Sequence, residues 1–388
     1  MSFGVIVNEK TAPAALGVPV NTSQAFVTGI TGGTPPAKPV LCGSTADFEG
    51  AGYGPRTGPN TAVWDWLDVA FREGLTQAWV MGYATAGGYS TTLPLFDYRL
   101  GPGQVAVVGE TTNGAAIYGA IQTHCDNNNR IGLLDGNAAD VALAAWSTNG
   151  TSAQALPNME NVGLFGSWVV TPGPPYVVTA GPRNIPMSAA IAGMCARVDQ
   201  TGNPGRAAGG RDFPFLYVNG FLYDPNDSDR AALFQKGVNM GANRWGTLEN
   251  YGFVTPVFQG TPLTTTPFWQ LNCARTRMYM KAQSLAIGEN YYMRTLDGAG
   301  KLAAELGGEL AAMCADLYAA DALFGDTPAD AYNVNVSSSI NTTATAATAT
   351  LNAIVEARLS QYTNKVVINL VSVPIAGVVG SSVIGSAP

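Results

Sequence analysis

Charge is what this sequence lacks most. Only 12% of its 388 residues are Asp, Glu, Lys or Arg, about half the usual share of a soluble domain. A chain so poor in charge either hides much of its surface in interfaces or works outside the cell. The net charge is −7 and no Lys/Arg cluster occurs, so no nucleic-acid partner is expected. No uninterrupted apolar run reaches the roughly 18 residues of a membrane span, so no membrane insertion is expected. No basic region precedes an apolar stretch at the N-terminus, and Lys10 and Pro13 interrupt the window, so no secretory leader is expected there.

Catalytic vocabulary is also missing. His124 is the single histidine, and a Ser-His-Asp or Cys-His enzyme would have to use it. Its setting before Cys125-Asp126 and the Asn127-Asn128-Asn129 turn reads as the polar end of a helix. There is no GxSxG elbow, and Gly298-Ala299-Gly300-Lys301 has neither the spacing nor the Ser/Thr of a phosphate loop. The five cysteines, Cys42, Cys125, Cys195, Cys273 and Cys314, form no CxxC and read as reduced, buried small hydrophobes. One histidine and scattered cysteines do not make a zinc site. Asp224-Pro225-Asn226-Asp227-Ser228-Asp229 looks like the start of a calcium loop but lacks its later Gly and Glu. It reads instead as a helix start at Ser228 or Asp229. No catalytic residue, cofactor or metal is therefore expected.

What is present is alternation. Apolar β-rich segments at 24–29, 38–42, 78–82, 104–109 and 130–135 read as strands. Between them 61–73, 115–125 and 138–147 read as helices, and Ser44 caps a single turn at 44–49. Such alternation is an α/β pattern. Residues 161–165 and 168–170 read as strands and 189–198 as a small-residue helix opened by Pro186. The stretch 202–210 is Gly-rich and irregular, and the third quarter is less regular. Two helices follow, at 276–292 and 298–323, the second with a kink at Gly307-Gly308. Residues 332–336 and 351–359 read as strands around a polar loop at 337–347.

The chain ends are the most telling segments. Phe3-Gly4-Val5-Ile6-Val7-Asn8-Glu9 and Lys365-Val366-Val367-Ile368-Asn369-Leu370-Val371-Ser372-Val373 each read as one lone strand beside a Pro/Gly- or Gly/Ser-rich stretch. A lone strand is unstable in water and must pair with something. Phe3, Val5 and Val7 share one face of the first; Val366, Ile368 and Leu370 share one face of the last.

The order of segments resembles the tail sheath proteins of contractile bacteriophages and of related contractile injection systems. The opening segment is similar to that family's PGVYVEE, and Thr22-Ser23-Gln24-Ala25-Phe26-Val27-Thr28-Gly29 to its TS-x-AAFVG step. Ser44 with Asp47-Phe48, and Phe71-Arg72-Glu73-Gly74 leading to Trp79-Val80, are similar to S-x-x-DF and FF-x-NGG-x-x-AYVV. Arg130-Ile131-Gly132-Leu133-Leu134-Asp135 is similar to a core strand ending in Asp. Pro186-Met187-Ser188-Ala189-Ala190-Ile191-Ala192-Gly193-Met194-Cys195-Ala196-Arg197-Val198-Asp199 resembles PPSGAVAGVYARTD, the most specific match. Trp245-Gly246 resembles part of VWGART. Two elements depart: Gly205-Arg206-Ala207-Ala208-Gly209-Gly210 replaces WKAPA, and Thr247-Leu248-Glu249-Asn250 replaces ARTLS.

The resemblance implies an α/β and α+β protein: a central α/β domain at 23–274, subtilisin-like in fold only, a smaller C-terminal α+β domain at 275–364, an N-terminal arm and linker at 1–22 and a C-terminal arm at 365–388. It implies a structural, non-enzymatic subunit that polymerises helically with itself, in rings of six, around a tail tube. Baseplate and tail terminator are implied as further partners. It places the protein in a virion tail assembled in the bacterial cytoplasm, where contraction drives the tube through a target envelope. The arms, with Phe3, Val5, Ile6, Val7, Val366, Val367, Ile368, Leu370 and Val371, are implied to add strands to neighbouring subunits. The helical stretch 276–323 is implied to face the tube, through Arg275, Arg277 and Lys281 or through acidic Glu305, Glu309 and Asp316; an ordinary solvated helix face is the alternative. A secreted or surface hydrolase or adhesin, or another structural tail protein, are the competing readings.

Overall fold

The computed structural model describes residues 20–174, 181–363 and 366. The two terminal strands lie outside them apart from Val366.

The first half alternates strand and helix. β1 (Gln24–Ile30) and β2 (Val40–Cys42) lead to a one-turn helix, α1 (Thr45–Phe48). Ser44 caps it as expected, its Oγ accepting from the Asp47 amide at 3.2 Å. α2 (Thr61–Arg72) buries Val63, Trp66, Leu67 and Val69. It stops where Gly74 adopts φ +115°, a left-handed geometry that a side chain would strain. β3 (Gln77–Tyr83), α3 (Tyr89–Thr92), β4 (Gln104–Val108), α4 (Ala115–Asn128) and β5 (Ile131–Asp135) follow.

The helix expected at 138–147 is displaced to α5 (Leu143–Gln154). Asp140 is the reason. Its carboxylate accepts from the Asn137 amide at 2.6 Å and from Asn149 Nδ2 at 2.7 Å, and its carbonyl accepts from Trp146 Nε1 at 2.6 Å. A local Asp bond of this kind holds the chain in a turn and delays the helix. Then come β6 (Val162–Gly166), β7 (Val169–Thr171), β8 (Arg183–Ile185), α6 (Met187–Asp199) and β9 (Gly220–Phe221).

In the third quarter the structure is more regular than the sequence suggests. α7 (Asp227–Phe234) is followed by a hairpin of β10 (Val238–Arg244) and β11 (Thr247–Tyr251). The hairpin completes an eight-stranded sheet of order β11-β10-β6-β5-β4-β1-β3-β2. Its centre is parallel, from β3 through β1, β4, β5 and β6 to β10; only the outer pairs β2–β3 and β10–β11 are antiparallel. β4, β5 and β6 are buried along their whole length, as parallel strands covered on both faces must be. Ala25 and Val27 join one apolar cluster with α2 and α6, while Phe26 joins another with α4 and α5. β7, β8 and β9 form a separate three-stranded sheet.

The last part packs around its own cluster, with Leu302, Leu306, Leu310, Met313 and Leu317 at its centre. It contains α8 (Leu271–Glu289), α9 (Lys301–Ala319), α10 (Pro328–Ala331), β12 (Tyr332–Asn335), α11 (Thr343–Ala347) and β13 (Ile354–Ala357). α9 runs through Gly307-Gly308 as a single helix, as expected. Gly307 serves proximity: a Cβ there would lie 2.7 Å from Val336 Cγ2.

Two positions in the core are testable. Gly193 lets α6 approach α2 so closely that a Cβ would lie 2.5 Å from the Ala70 carbonyl oxygen. Gly193→Ala gains about 1 kcal/mol of helix propensity but forces main chain apart, and should destabilise by about 2 kcal/mol net in urea titration. Asp135, at the end of β5, is buried and accepts from the Ser188 amide at 3.0 Å. Burial pushes its pKa up to about 7, against the partial opposing effect of Ser188. The folded state therefore holds a proton that the unfolded chain releases near the ordinary value of 3.8. This contribution is full below that value and is lost as pH rises through about 7. Stability relative to Asp135→Asn should fall by more than about 1 kcal/mol between about pH 5 and about pH 8; parallel pH–stability curves for the two proteins would contradict it.

Candidate assembly surfaces

Of the expected arm residues, Phe3, Val5, Ile6, Val7, Val367, Ile368, Leu370 and Val371 lie outside the described residues. Val366 is 75% exposed.

The described chain instead shows where a strand could be received. β12 and β13 form a sheet of two strands, with Tyr332 opposite Ala357 and Asn335 opposite Ile354. The Arg358 amide donates to the Ala331 carbonyl at 2.8 Å, so in this register the Asn333–Glu356 and Asn335–Ile354 pairs are the bonded ones. The N–H and C=O groups of Val355 and Ala357 therefore point to the outer edge of β13, and those of Tyr332 and Val334 to the outer edge of β12. The β13 edge runs further. Phe324 N donates to Arg358 O at 2.8 Å and Ser360 N to Ala322 O at 3.0 Å, which puts residues 322–324 on the same side as β12. Leu359 consequently also turns its backbone outward. Val355, Ala357 and Leu359 have no backbone partner on that edge among the described residues. A two-stranded ribbon is marginal by itself, and such an edge is a template for a third strand.

The residues expected to face a tube are divided by the structure. Arg275 does not face outward. It is fully buried, with NH2 donating to Asp199 Oδ1 at 2.6 Å and to the Cys195 carbonyl at 3.2 Å. The physical reason is that α8 begins earlier than the periodicity suggests, at Leu271, and its first turns are enclosed on all sides: Leu271, Asn272, Cys273, Ala274, Arg275 and Thr276 are all buried. Arg277 lies half-buried over the Phe268 ring, 3.6 Å from its centroid, and reaches Glu160 at 3.1 Å and Asn161 at 2.7 Å. Lys281 is exposed. On α9, Glu305 is exposed and pairs with Arg294 at 3.2 Å, whereas Glu309 is half-buried and accepts from the Tyr291 hydroxyl at 2.9 Å. Asp316 is exposed. Of the expected charges, Lys281, Glu305 and Asp316 are thus the exposed ones; Glu289 at the end of α8 and Lys301 at the start of α9 are exposed as well. The hairpin end carries a further signal that the sequence reading passed over: Tyr292 and Met293 are 80% and 85% exposed.

The remaining candidates for chemistry are internal. His124 is buried, with Nε2 at 2.8 Å from Arg130 NH1. Burial, with the guanidinium beside it, pushes its pKa down to about 3, so the ring is neutral and its acceptor nitrogen is engaged by Arg130. Arg130 also donates to the carbonyls of Phe96, Asp97 and Gly101. The pair organises main chain and is not set out to activate a hydroxyl or thiol. In the acidic run at 224–229, Asn226 caps α7, its Oδ1 accepting from the Asp229 amide at 2.9 Å, while Asp224 and Asp227 are taken by Arg230 at 2.8 and 2.7 Å.

The Arg275 pair can be weighed directly. Removing one member of a buried ion pair strands the other charge, at a cost of about 3–5 kcal/mol. Arg275→Met should lose about that much in urea titration, and adding Asp199→Asn should restore part of the loss, because the stranded charge is gone. A loss below about 1 kcal/mol for the single variant would show that Arg275 does not bear on the fold.

At the level of sequence, no protein-family model and no curated protein matches. Structures do. The chain is similar to the sheath complex, in its contracted state, of the extracellular contractile injection system PVC: TM-score 0.71 and 13% identity, over 96% of this chain and 98% of that one. It is similar to the contracted helical sheath of the anti-feeding prophage: TM-score 0.68 and 18% identity, over 95% of this chain and 98% of that one. It is also similar to a sheath tail protein of Desulfitobacterium hafniense: TM-score 0.55 and 10% identity, over 86% and 93%. Over nearly its whole length the chain has the fold of the sheath proteins of contractile injection systems and tails.

Proposed function

We propose that the protein is the structural subunit of a contractile sheath, polymerising helically with copies of itself by strand exchange. The observation that carries the reading is the open edge of a two-stranded sheet inside a fold shared with sheath subunits over 96% of the chain. Main-chain groups of Val355, Ala357 and Leu359 on one side, and of Tyr332 and Val334 on the other, have no backbone partner among the described residues. The sequence holds two β-rich terminal segments, at 3–9 and 365–373, that need partners of the same kind. Strand addition joins them through backbone hydrogen bonds.

In this reading residues 1–22 and 365–388 are arms that enter the sheets of neighbouring copies. The eight-stranded sheet and its helices, 23–274, form a subtilisin-like body without protease chemistry, and 275–364 form the receiving domain. Contraction is a repacking of bodies while the strand joints hold, since ladder bonds do not depend on the orientation of the rest of the subunit. Rings of six around a tail tube, a baseplate and a terminator at the ends, and a place in a tail assembled in the bacterial cytoplasm complete the proposal. The tube contact falls to the exposed Lys281, Glu305 or Asp316 and the apolar tip at Tyr292-Met293.

Deletion tests it. Chains lacking residues 1–10 or 365–388 should remain folded by circular dichroism yet form no tubes in negative-stain microscopy, where the full chain does. Tubes of ordinary length from either truncated chain would overturn strand exchange as the basis of assembly.

A further inference from the structure

Only a few residues separate the open edge of β13 from the C-terminal segment, and they are stitched to the main body. The Ser360 carbonyl accepts from Asn272 Nδ2 at 3.0 Å, and Asn272 Nδ2 also donates to Gly205 O at 2.8 Å. Two residues on, Gln270 holds Tyr362 as a neighbouring strand would. The Tyr362 amide donates to Gln270 Oε1 at 2.9 Å, and Gln270 Nε2 donates to the Tyr362 carbonyl at 3.0 Å. The Tyr362 hydroxyl accepts from the Phe253 amide at 3.1 Å. The ring packs against apolar clusters that contain Phe253, Val254, Phe258 and Trp269.

Gln270 is itself 1% exposed and bridges in antiparallel fashion to Val254. Val254 is held on both backbone groups by the Asn239 side chain, at 2.7 and 2.8 Å. Asn239 belongs to β10, inside the eight-stranded sheet. Two bonds thus join Tyr362 to Gln270; the residues flanking Gln270 and Val254 close the bridge, with the Thr255 amide donating to Trp269 O at 3.0 Å and the Leu271 amide to Phe253 O at 2.9 Å; and Asn239 joins Val254 to the large sheet. Thr363 has no hydrogen-bond partner among the described residues.

We infer that Gln270 and Tyr362 are the anchor of the C-terminal arm, delivering tension on residues 364–388 into the eight-stranded body and sparing the β12–β13 sheet. This rests on the reading of 365–388 as an arm. Tension on a chain is borne by the first fixed contact it meets. Among the described residues, the first such contact coming back from residue 366 is Tyr362, held by three hydrogen bonds to buried partners. The edge at Val355, Ala357 and Leu359 lies upstream of the anchor. A subunit can therefore be pulled through its own arm while its receiving edge keeps the register a neighbour's strand requires. Both residues act as positioning residues.

Three full-length variants test it: Gln270→Leu, which keeps volume and removes both amide bonds; Tyr362→Phe, which keeps the ring and removes the hydroxyl; and deletion of 365–388. In unassembled subunits, hydrogen exchange at the Tyr362 amide should quicken by about tenfold or more in Gln270→Leu, and that of Phe253 should quicken in Tyr362→Phe, with amides of β4 and β5 unaffected. Assembled Gln270→Leu tubes should break at lower shear than parent tubes, scored as length distributions by negative stain. If deletion abolishes assembly yet Gln270→Leu tubes match the parent in length and shear resistance, the anchor is wrong and the arm stands. If the deleted chain still assembles, the arm reading falls and the anchor falls with it. If Gln270→Leu does not fold, the Tyr362→Phe tubes decide, and parent-like shear resistance there refutes the anchor.

Discussion

A buried charge has to be paired, and this chain spends much of its scarce charge on that requirement. Arg183 enters the core with NH1 on Asp65 and NH2 on Asp68, both at 2.6 Å, and Arg56 closes on the far side of Asp65 at 2.7 Å. Glu73 is fully buried and accepts from the amides of Leu216 and Tyr217 and from Arg197. Arg275 meets Asp199, which also accepts from Thr22 Oγ1 at 2.8 Å. Every one of these groups sits on or against α2 or α6, and together they fasten β8, α8 and the segment at 214–217 to those helices. Just beyond the Gly-rich stretch, the main chain at 214–217 is tied down by a guanidinium and a carboxylate: Arg197 NH2 donates to Pro214 O at 2.7 Å, and the Leu216 and Tyr217 amides donate to Glu73. Ion pairs of this kind add little net stability against an apolar replacement, but breaking one is costly. Their effect is to fix where the connecting segments run.

The same structure treats its sheet edges unequally. On the large sheet, β11 is covered, since the Gly210 and Phe215 amides donate to the carbonyls of Asn250 and Leu248 at 3.0 and 2.9 Å. The other edge, β2, is three residues long and preceded by Lys38-Pro39, two common ways of blunting an edge. Against that background the bare β13 edge stands out. It is followed within a few residues by the Tyr362 anchor and the start of a β-rich tail. The large sheet thus has one covered and one blunted edge, while among the described residues both outer edges of the small sheet lack a further strand.

Much of the α/β core was legible because its strands are short apolar runs between turn signals. β4 and β5 begin and end within a residue of the expected bounds, and Ser44 and Gly74 set the ends of α1 and α2 through local chemistry alone. The displaced start of α5 is a local effect of Asp140, but two other misses share a cause in distant partners. The β10–β11 hairpin carries Asn239, Asn243 and Arg244 where a strand pattern wants apolar residues, and Asn239 is tolerated because Leu164 and Val254 satisfy it. Arg275 read as a surface charge because nothing nearby in sequence announces Asp199. The acidic run at 224–229 was rightly read as a helix start, since the cap is local. For the assembly surface, the alternation at 332–336 was visible, but an edge is open only by the absence of a third strand, which no single segment encodes.

In the proposed reading, a joint made of backbone bonds would let a chain assemble with so little charge and no recognisable binding motif. Side-chain interfaces specify partners by charge and shape; a strand added to an edge needs alternating small or apolar side chains and a matching register. Such a joint would be compatible with low sequence identity at high fold similarity, 13% over nearly the whole chain in one case. The ladder does not read most side chains, so they can drift. What cannot drift is where the edge lies relative to the point at which the chain leaves the body. In this protein that relation is set between Leu359 and Tyr362, through Asn272 and Gln270 at the head of α8. The two buried amide side chains there, and not the more conspicuous arginines of the helix, fix where the chain leaves the body.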